Sequence, residues 1–245
     1  MTVHYRTRGF VIKKNNIAEA DRVYIIFTKD FGRIKVSGKA IRKINSKLRG
    51  GIDILSLSEI EFIQGKNHKT LTDAVFLERF ENIREDLIRT KIAYKVVSVL
   101  DDLIKDEDED ERIWDLVTDT FNKINDLSLS SPRCLLVYYY FLWNLFSILG
   151  YKPELSNCVI CQKKLSSINL YFSSNEGGAV CHFCGGKETG KYQSARPESL
   201  KMLRLILEKN WQTLSRLRNP KLSQNFLEGI SENYCCHLLS SQSPR

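Results

Sequence analysis

The sequence predicts an α+β protein, in which a small N-terminal barrel of five strands precedes an all-helical domain with a four-cysteine knuckle. Three observations lead to this prediction. Residues 1–80 contain short runs of alternating apolar and β-branched residues separated by turns. From about Glu81 onward, apolar residues recur at helical spacing. Two C-x-x-C pairs, separated by nineteen residues, interrupt the helices. We therefore expect two domains, 1–80 and 81–245, with the knuckle at about 156–188.

The five strands are predicted from alternation and from their content of β-branched and aromatic residues. They span Val3 to Lys14, Asp21 to Thr28, Arg33 to Lys39, Leu55 to Gln64 and Leu71 to Phe76. Gly9 predicts a bulge or bend in the first strand. In the third strand, Ile34 and Val36 should face a core while Arg33 and Lys35 face outward. Five short strands suggest a small barrel or sandwich, and five is the strand count of the OB-fold, which binds oligonucleotides.

Charge is distributed unevenly along the chain. Residues 1–80 hold 16 Lys/Arg against 8 Asp/Glu, which accounts for the whole net charge of +8, whereas residues 81–245 hold 21 of each. This asymmetry predicts that the first third meets a polyanion, either nucleic acid or an acidic membrane surface. The alternative is a basic surface that binds nothing.

The segment between the third and fourth strands, residues 39–51, is predicted to be the main phosphate-binding element. From Arg33 to Arg49 there are seven basic residues and no acidic ones. The Gly, Ser and Asn content predicts a mobile loop, whose cations could contact a phosphate backbone without reading bases. The alternative is a solvated loop. The predicted contacts are Arg33, Lys35, Lys39, Arg42, Lys43, Lys47 and Arg49, with Arg6 and Arg8 on the first strand. Most aromatic residues of these strands are expected in the core, and Tyr5 and Tyr24 are the better candidates for stacking on bases, with a core position as the favoured alternative.

Five helices are predicted in the second domain. They span Asn82 to Lys105, Arg112 to Asn125, Arg133 to Leu149, Pro197 to Asn210 and Pro220 to Leu239. The acidic run from Asp106 to Glu111 is expected to start the second helix, where negative charge is favourable. Ser131-Pro132 is expected to cap the third. That helix is apolar nearly all round, which predicts that it is central and buried.

The cysteine spacing predicts a zinc site. Cys158, Cys161, Cys181 and Cys184 would supply four thiolates, a set that saturates a tetrahedral ion and indicates one structural zinc. His182 could replace one cysteine. The alternative is two disulfides in a secreted domain. The N-terminus lacks the apolar core of a signal peptide and three cysteines remain unpaired, so we favour a reducing cytosol and zinc.

Enzymatic chemistry is not predicted. The sequence has no phosphate-cradling glycine-rich loop, no G-x-S-x-G and no H-E-x-x-H. The zinc deaminase signature fails because no H-x-E occurs and Val180, rather than proline, precedes Cys181. A nuclease would need a carboxylate cluster near the basic face. No window approaches eighteen uninterrupted apolar residues, so no membrane span is expected.

Several short motifs, in this order, resemble the RecO family of bacterial recombination and repair mediators. They are Thr7 to Ile12, Glu19 to Val23, Phe31-Gly32-Arg33 followed by Gly38 to Lys43 and Ser46-Lys47, and Leu149 to Pro153 before the first cysteine pair. The resemblance covers nearly the whole chain. The C-terminal helices are more divergent, so partner-binding residues are not carried across.

The resemblance implies an OB-fold that binds single- and double-stranded DNA and anneals complementary strands. It implies the partner protein RecR, contact with single-stranded DNA-binding protein, and help in loading recombinase onto coated strands. Zinc is expected because all four cysteines are kept. A cytoplasmic, nucleoid-associated protein without membrane contact, monomeric alone, would fit this role. The alternative is a zinc-ribbon RNA- or ribosome-associated protein that binds through the same barrel.

Overall fold

The computed structural model of the protein describes residues 3–17, 19–105, 107–126, 128, 133–166, 169–186, 192–216 and 221–242. Within the last segment, side chains are described for 225–239. The chain forms two compact units, Met1–Cys134 and Leu135–Arg245. The predicted cap Ser131-Pro132 and the predicted helix start Pro220 lie outside the described residues.

The first unit contains the predicted five-stranded barrel. Its strands are β1 (His4–Asn16), β2 (Arg22–Thr28), β3 (Gly32–Gly38), β4 (Leu57–Gln64) and β5 (Lys69–Glu78). They close in the order β1-β2-β3-β5-β4, with β3 and β5 parallel and the other pairs antiparallel. The register of β1 on β2 shifts between Val11 and Lys13 rather than at the predicted Gly9. Gly9 has a different role, since a Cβ there would collide with the side chain of Ile26.

Alternating apolar residues along the strands point into the barrel and form its core, as predicted. Ile34 and Val36 are fully buried, whereas Lys35 is exposed. The core cluster consists of Val11, Tyr24, Ile26, Ile34, Val36, Ile41, Ile52, Ile60, Phe62, Leu71 and Ala74. Tyr24 is 1% exposed, so it is not available for stacking on bases, and the favoured core position is confirmed. Tyr5 is partly buried and stacks on Phe62, with ring centroids 5.4 Å apart.

Three helices cover the outer side of β1 and β2. They are α1 (Glu81–Glu85), α2 (Leu87–Leu103) and α3 (Glu111–Asn125). Phe10 points outward from β1, and its ring centroid lies 5.4 Å from Trp114 and 4.9 Å from Phe121. Burial on both faces explains why β2 is an almost continuous apolar run. The structure groups these helices with the barrel, whereas the sequence analysis assigns them to the helical domain.

Two helix starts differ from the prediction. The predicted helix from Asn82 to Lys105 is divided at Asp86, whose side chain accepts hydrogen bonds from the backbone N–H groups of Ile88 and Arg89. The acidic run does not open a helix as a whole. Residues 107–110 are non-helical, and Asp110 caps α3 by accepting from the N–H of Arg112. Repulsion among consecutive carboxylates is lower in an extended segment than in one helical turn.

The second unit combines helices with a small sheet that the sequence analysis missed. In chain order the elements are α4 (Cys134–Ile148), β6 (Leu170–Ser173), β7 (Gly178–Val180), α5 (His182–Gly185), β8 (Gln193–Ala195), α6 (Pro197–Leu207), α7 (Trp211–Ser215) and α8 (Lys221–Gln242). The sheet order is β7-β6-β8. The helix α4 is buried along most of its length, as predicted. Its Trp143 donates to Ser231 Oγ at 3.0 Å and packs against Tyr234. Among the described helices, none has the length and apolarity needed to cross a membrane.

Substitutions at two adjacent glycines, Gly50 and Gly51, test how the β3–β4 connection packs against β5. A Cβ at Gly51 would overlap the carbonyl oxygen of Ala74, whereas one at Gly50 would meet no described atom within 4 Å. We expect Gly51→Ala to lower the free energy of unfolding by about 1–3 kcal/mol, since the backbone must move apart. Gly50→Ala, the matched control, should change it by less than about 0.5 kcal/mol. Urea unfolding followed by circular dichroism measures both, and equal stabilities of the two variants would contradict this packing.

Candidate nucleic-acid interface and metal centre

The basic segment 39–51 is held against the barrel. It consists of turns and a short 3-10 helix, Lys47–Gly50. Ile41 is 1% exposed within the barrel core, and Leu48 packs against the same core. The Ala40 N–H donates to Asp21 Oδ1 at 2.7 Å, and the Arg42 N–H donates to the Ala20 carbonyl at 3.0 Å. The prediction of a mobile loop is therefore corrected, because Ile41 and Leu48 anchor the segment while its cations, together with Ile44, are exposed.

Most of the predicted phosphate contacts are exposed. They are Arg6, Arg8, Lys35, Lys39, Arg42, Lys43, Lys47 and Arg49. Of these, Arg8, Lys35, Lys39, Lys43, Lys47 and Arg49 form no ion pair with any residue that the structure describes. The anchored segment thus presents several uncompensated positive charges on one short stretch of backbone. This arrangement suits a ligand with regularly spaced negative charges.

Two predicted contacts are already paired with carboxylates. On β1, the Arg6 Nη2 lies 2.7 Å from Glu59 Oε1 of the neighbouring β4. On β3, Arg33 donates from Nη2 at 2.6 Å and from Nε at 3.1 Å to the same oxygen of Asp101 in α2. Arg6 and Arg33 would have to share or exchange these partners in order to bind phosphate.

Asp101 compensates two cations at once. Besides Arg33, it accepts a hydrogen bond from Lys13 Nζ at 3.3 Å. Burial opposes ionisation of Asp101, but the hydrogen bonds from Arg33 and Lys13 outweigh it and hold the pKa of this carboxyl below its ordinary value. Part of the positive charge on the outer face of the barrel is therefore neutralised within the unit.

A cleft of about 600 Å³ at one end of the barrel gathers cations that are distant in sequence. Two of them, Arg42 and Arg49, were predicted as contacts. The other four, Lys14, Arg22, Arg79 and Arg84, are not among the contacts predicted from the sequence. Strand register could have indicated some of these, since Arg22 pairs with both Asn16 and Gly38 and so lies where the basic segment leaves β3. Arg79 and Arg84 follow β5 and could not be placed without the fold.

The four predicted cysteines converge on one point. Their sulfur atoms all lie within 4.8 Å of one another, and Cys161 Sγ is 3.8 Å from Cys181 Sγ. Sulfurs bound at about 2.3 Å to one tetrahedral ion would be separated by roughly 3.8 Å. None of these four cysteines forms a disulfide bond, so the alternative of two disulfides is not supported. His182 is exposed and is not part of this cluster.

The thiols of Cys158 and Cys184 lie in different surroundings. Cys158 is buried and accepts from the N–H of Cys181 at 3.3 Å, and Cys181 immediately precedes α5. Burial opposes ionisation of Cys158, but backbone N–H groups at Cys161, Cys181 and Ile160 prevail and lower its pKa. Burial and the neighbouring thiols raise the pKa of Cys184. Four thiols this close cannot all ionise without a cation between them, so the donor set fits a metal ion.

The fold and the site define an OB-type barrel protein with a basic face and a four-thiol centre. Residues 1–80 match the family model described as Recombination protein O N terminal, and residues 84–242 match Recombination protein O C terminal. The chain therefore belongs to the RecO family of DNA repair and recombination proteins.

Relatives named DNA repair protein RecO are similar along most of the chain. The Dehalococcoides mccartyi protein is 31% identical over 87% of this chain and 82% of its own length. The Roseiflexus sp. protein is 30% identical over 98% and 83%, respectively. The Syntrophomonas wolfei protein is 30% identical over 94% and 89%. The prediction of the family is confirmed.

The compensating role of Asp101 predicts a pH-dependent contribution to stability. Because the pKa of Asp101 is lowered in the folded state, its charge stabilises the fold above the ordinary value of 3.8, and this contribution is lost as the pH falls through the folded-state value. We expect Asp101→Asn to lower the free energy of unfolding by about 1 kcal/mol at neutral pH. The difference from the wild type should shrink towards zero in acid.

The adjacent Asp102 supplies the control. It is exposed and forms no ion pair with the described residues, so Asp102→Asn should leave the free energy of unfolding unchanged both at neutral pH and in acid. Urea titrations across the acid range measure both variants. A destabilisation by Asp101→Asn that is the same at all pH values would contradict the ionic origin of the effect.

Proposed function

We propose that the protein is a non-enzymatic mediator of recombination that binds and anneals single DNA strands and helps load recombinase onto coated single-stranded DNA. The observation that supports this most directly is the anchored basic segment 39–51, with its uncompensated cations. Membership of the RecO family gives the DNA repair and recombination role to which this activity would contribute. The proposed partners are single- and double-stranded DNA, RecR and single-stranded DNA-binding protein, and the proposed location is the cytoplasm at the nucleoid.

The nine predicted phosphate contacts differ in what they offer to DNA. Lys35, Lys39, Lys43, Lys47 and Arg49 are exposed and without an ionic partner among the described residues. They favour contacts with a backbone of any sequence, because ammonium and guanidinium groups recognise phosphate rather than base edges. Arg8 and Arg42 are exposed as well, and Arg42 belongs to the segment 39–51, whereas Arg8 lies on β1 opposite Glu59 of β4. Arg6 and Arg33, which are paired with carboxylates, would contribute less.

The four-thiol centre is proposed to hold one structural zinc ion. Zinc prefers sulfur ligands in tetrahedral geometry, and the sulfur separation fits that geometry. Four thiolates leave no coordination position for water or substrate, which is why we propose a structural rather than a catalytic ion. The ion would join the two C-x-x-C pairs, whereas the barrel would bind DNA.

Replacement of Lys39, Arg42 and Lys43 by Ala tests the DNA-binding role. Each phosphate contact with a single strand contributes roughly −0.7 to the slope of log affinity against log salt, so about five contacts predict a slope near −3.5. Loss of three contacts should bring the slope to about −1.4 and weaken binding to all sequences alike. Fluorescence anisotropy with single strands of different sequence, over a range of salt, gives both quantities.

The matched control replaces three lysines outside the basic segment. Lys91, Lys152 and Lys201 are exposed on other elements, and their replacement by Ala should leave the slope near the wild-type value. If the affinity of the wild-type protein for single-stranded DNA did not depend on salt concentration, the proposal of phosphate contacts would be wrong. Loss of binding to only one sequence would indicate base readout, and tighter binding to structured RNA than to single-stranded DNA would favour the RNA-binding alternative.

Metal content tests the zinc proposal. We expect about one zinc per chain purified under reducing conditions, and Cys161→Ser should lose most of it because three thiolates hold the ion less tightly. Cys236→Ser, at an exposed cysteine outside the cluster, should keep the metal. A chelator should lower the thermal stability of the helical region and leave DNA affinity largely intact. Elemental analysis and thermal melts measure these effects, and equal metal content in both variants would rule the site out.

A further inference from the structure

The cleft at the end of the barrel carries more positive charge than its own carboxylates compensate. Its lining includes Lys14, Arg22, Arg42, Arg49, Arg79 and Arg84, against only Asp53 and Glu81. Six cations around about 600 Å³ repel one another, and their repulsion is relieved when a ligand brings several negative charges. The apolar side chains of Ile41 and Ile52 also line the cleft, and Phe76 lies beside Arg79.

Two guanidinium groups of the cleft form no hydrogen bond or ion pair with the described residues. Among the described residues, the Arg49 side chain has no hydrogen-bond or ion-pair partner. The Arg79 guanidinium lies 4.3 Å from the centre of the Phe76 ring, a contact that fixes its plane and leaves its N–H edge unoccupied. Each guanidinium presents a planar set of donors that matches phosphate oxygens in pairs.

The neighbouring cations are fixed by the fold. Arg84 donates to the backbone carbonyls of Ile54 at 2.7 Å and Arg79 at 2.9 Å. Asp53 lies 2.5 Å from Lys14 Nζ and 3.7 Å from Arg84 Nη1, and its own position is held by the N–H of Ile54. The cleft therefore combines oriented charges on one side with free donors on Arg49 and Arg79, which lie on different elements.

We propose that this cleft binds the terminal phosphate monoester of a DNA strand, an inference that rests on the proposed DNA-binding function. An internal phosphodiester carries one charge and two free oxygens. A terminal monoester carries about −1.5 to −2 at neutral pH and three strong acceptor oxygens, so it satisfies more guanidinium donors at once. The strand would run from this end towards the exposed lysines of the segment 39–51.

The test compares one single strand in four forms, bound by the full-length protein at constant salt. The forms carry a 5′-phosphate, a 3′-phosphate, only hydroxyl ends, or no ends because the strand is circular. We expect about tenfold tighter binding of at least one phosphorylated form over the hydroxyl form, from one or two additional charge-assisted hydrogen bonds. The circular strand should bind like the hydroxyl form. The comparison of the first two forms identifies which end is recognised.

Three single-residue variants test whether the preference for a terminal phosphate arises in the cleft. Arg79→Gln should abolish the preference for the phosphorylated end while binding of the circular strand is retained. Lys39→Gln should weaken all four forms by a similar factor. Arg196→Gln, at an exposed arginine in the second unit, should change neither quantity. Thermal melts confirm that each variant is folded.

The outcomes separate this inference from the proposed function. Equal affinity of the wild type for all four forms would overturn recognition of the strand end and leave DNA binding in place. A preference that persists in both Arg79→Gln and Arg49→Gln would overturn its assignment to this cleft. Failure of the wild type to bind any form would overturn the proposed function and this inference with it.

Discussion

Closure of the barrel between β3 and β5 is the constraint on which the rest of the basic surface depends. The two strands pair in parallel through only Val36 with Lys69 and Ser37 with Thr70. Because β5 takes the place beside β3, the chain must travel from the end of β3 around to β4, which lies between β5 and β1. The residues that make this connection are 39–56. Closure therefore places the most basic stretch of the chain across one end of the barrel, where Ile41 and Ile52 hold it.

Local carboxylates then decide which cations remain available to a ligand. Asp101 takes up Arg33 and Lys13, and Glu59 takes up Arg6, whereas no carboxylate among the described residues pairs with Lys39, Lys43 or Lys47. Only some of the excess cations in residues 1–80 therefore remain available to a ligand, and they include the three lysines of the segment 39–51. Net charge indicates the kind of partner, but the fold selects the side chains that meet it.

The parts of the fold that follow from local pattern were predictable, and the parts that depend on tertiary neighbours were not. Alternation placed Ile34 and Val36 inside the barrel, and the spacing of Cys158 to Cys184 predicted the thiol cluster. Basic neighbours make Tyr24 a candidate for exposure, but its position in the strand directs it into the core, which was the favoured alternative. The cleft joins β1, β2, the segment 39–51 and α1, so no window of sequence could reveal it.

The thiol cluster shows why sequence spacing was sufficient there and insufficient at the cleft. Each C-x-x-C pair is a local segment, and the Val159 N–H of the first donates to the carbonyl of Ala179 in β7, the strand that leads into the second pair, at 3.0 Å. Four thiolates at this separation would need a cation between them, so the donor chemistry and the local geometry both fit a metal ion. Guanidinium groups make no such demand, since water solvates them well at many separations. A cationic cleft therefore indicates a ligand site only where the fold leaves whole side chains without partners, and in the cleft the guanidinium groups of Arg49 and Arg79 form no hydrogen bond or ion pair with the described residues.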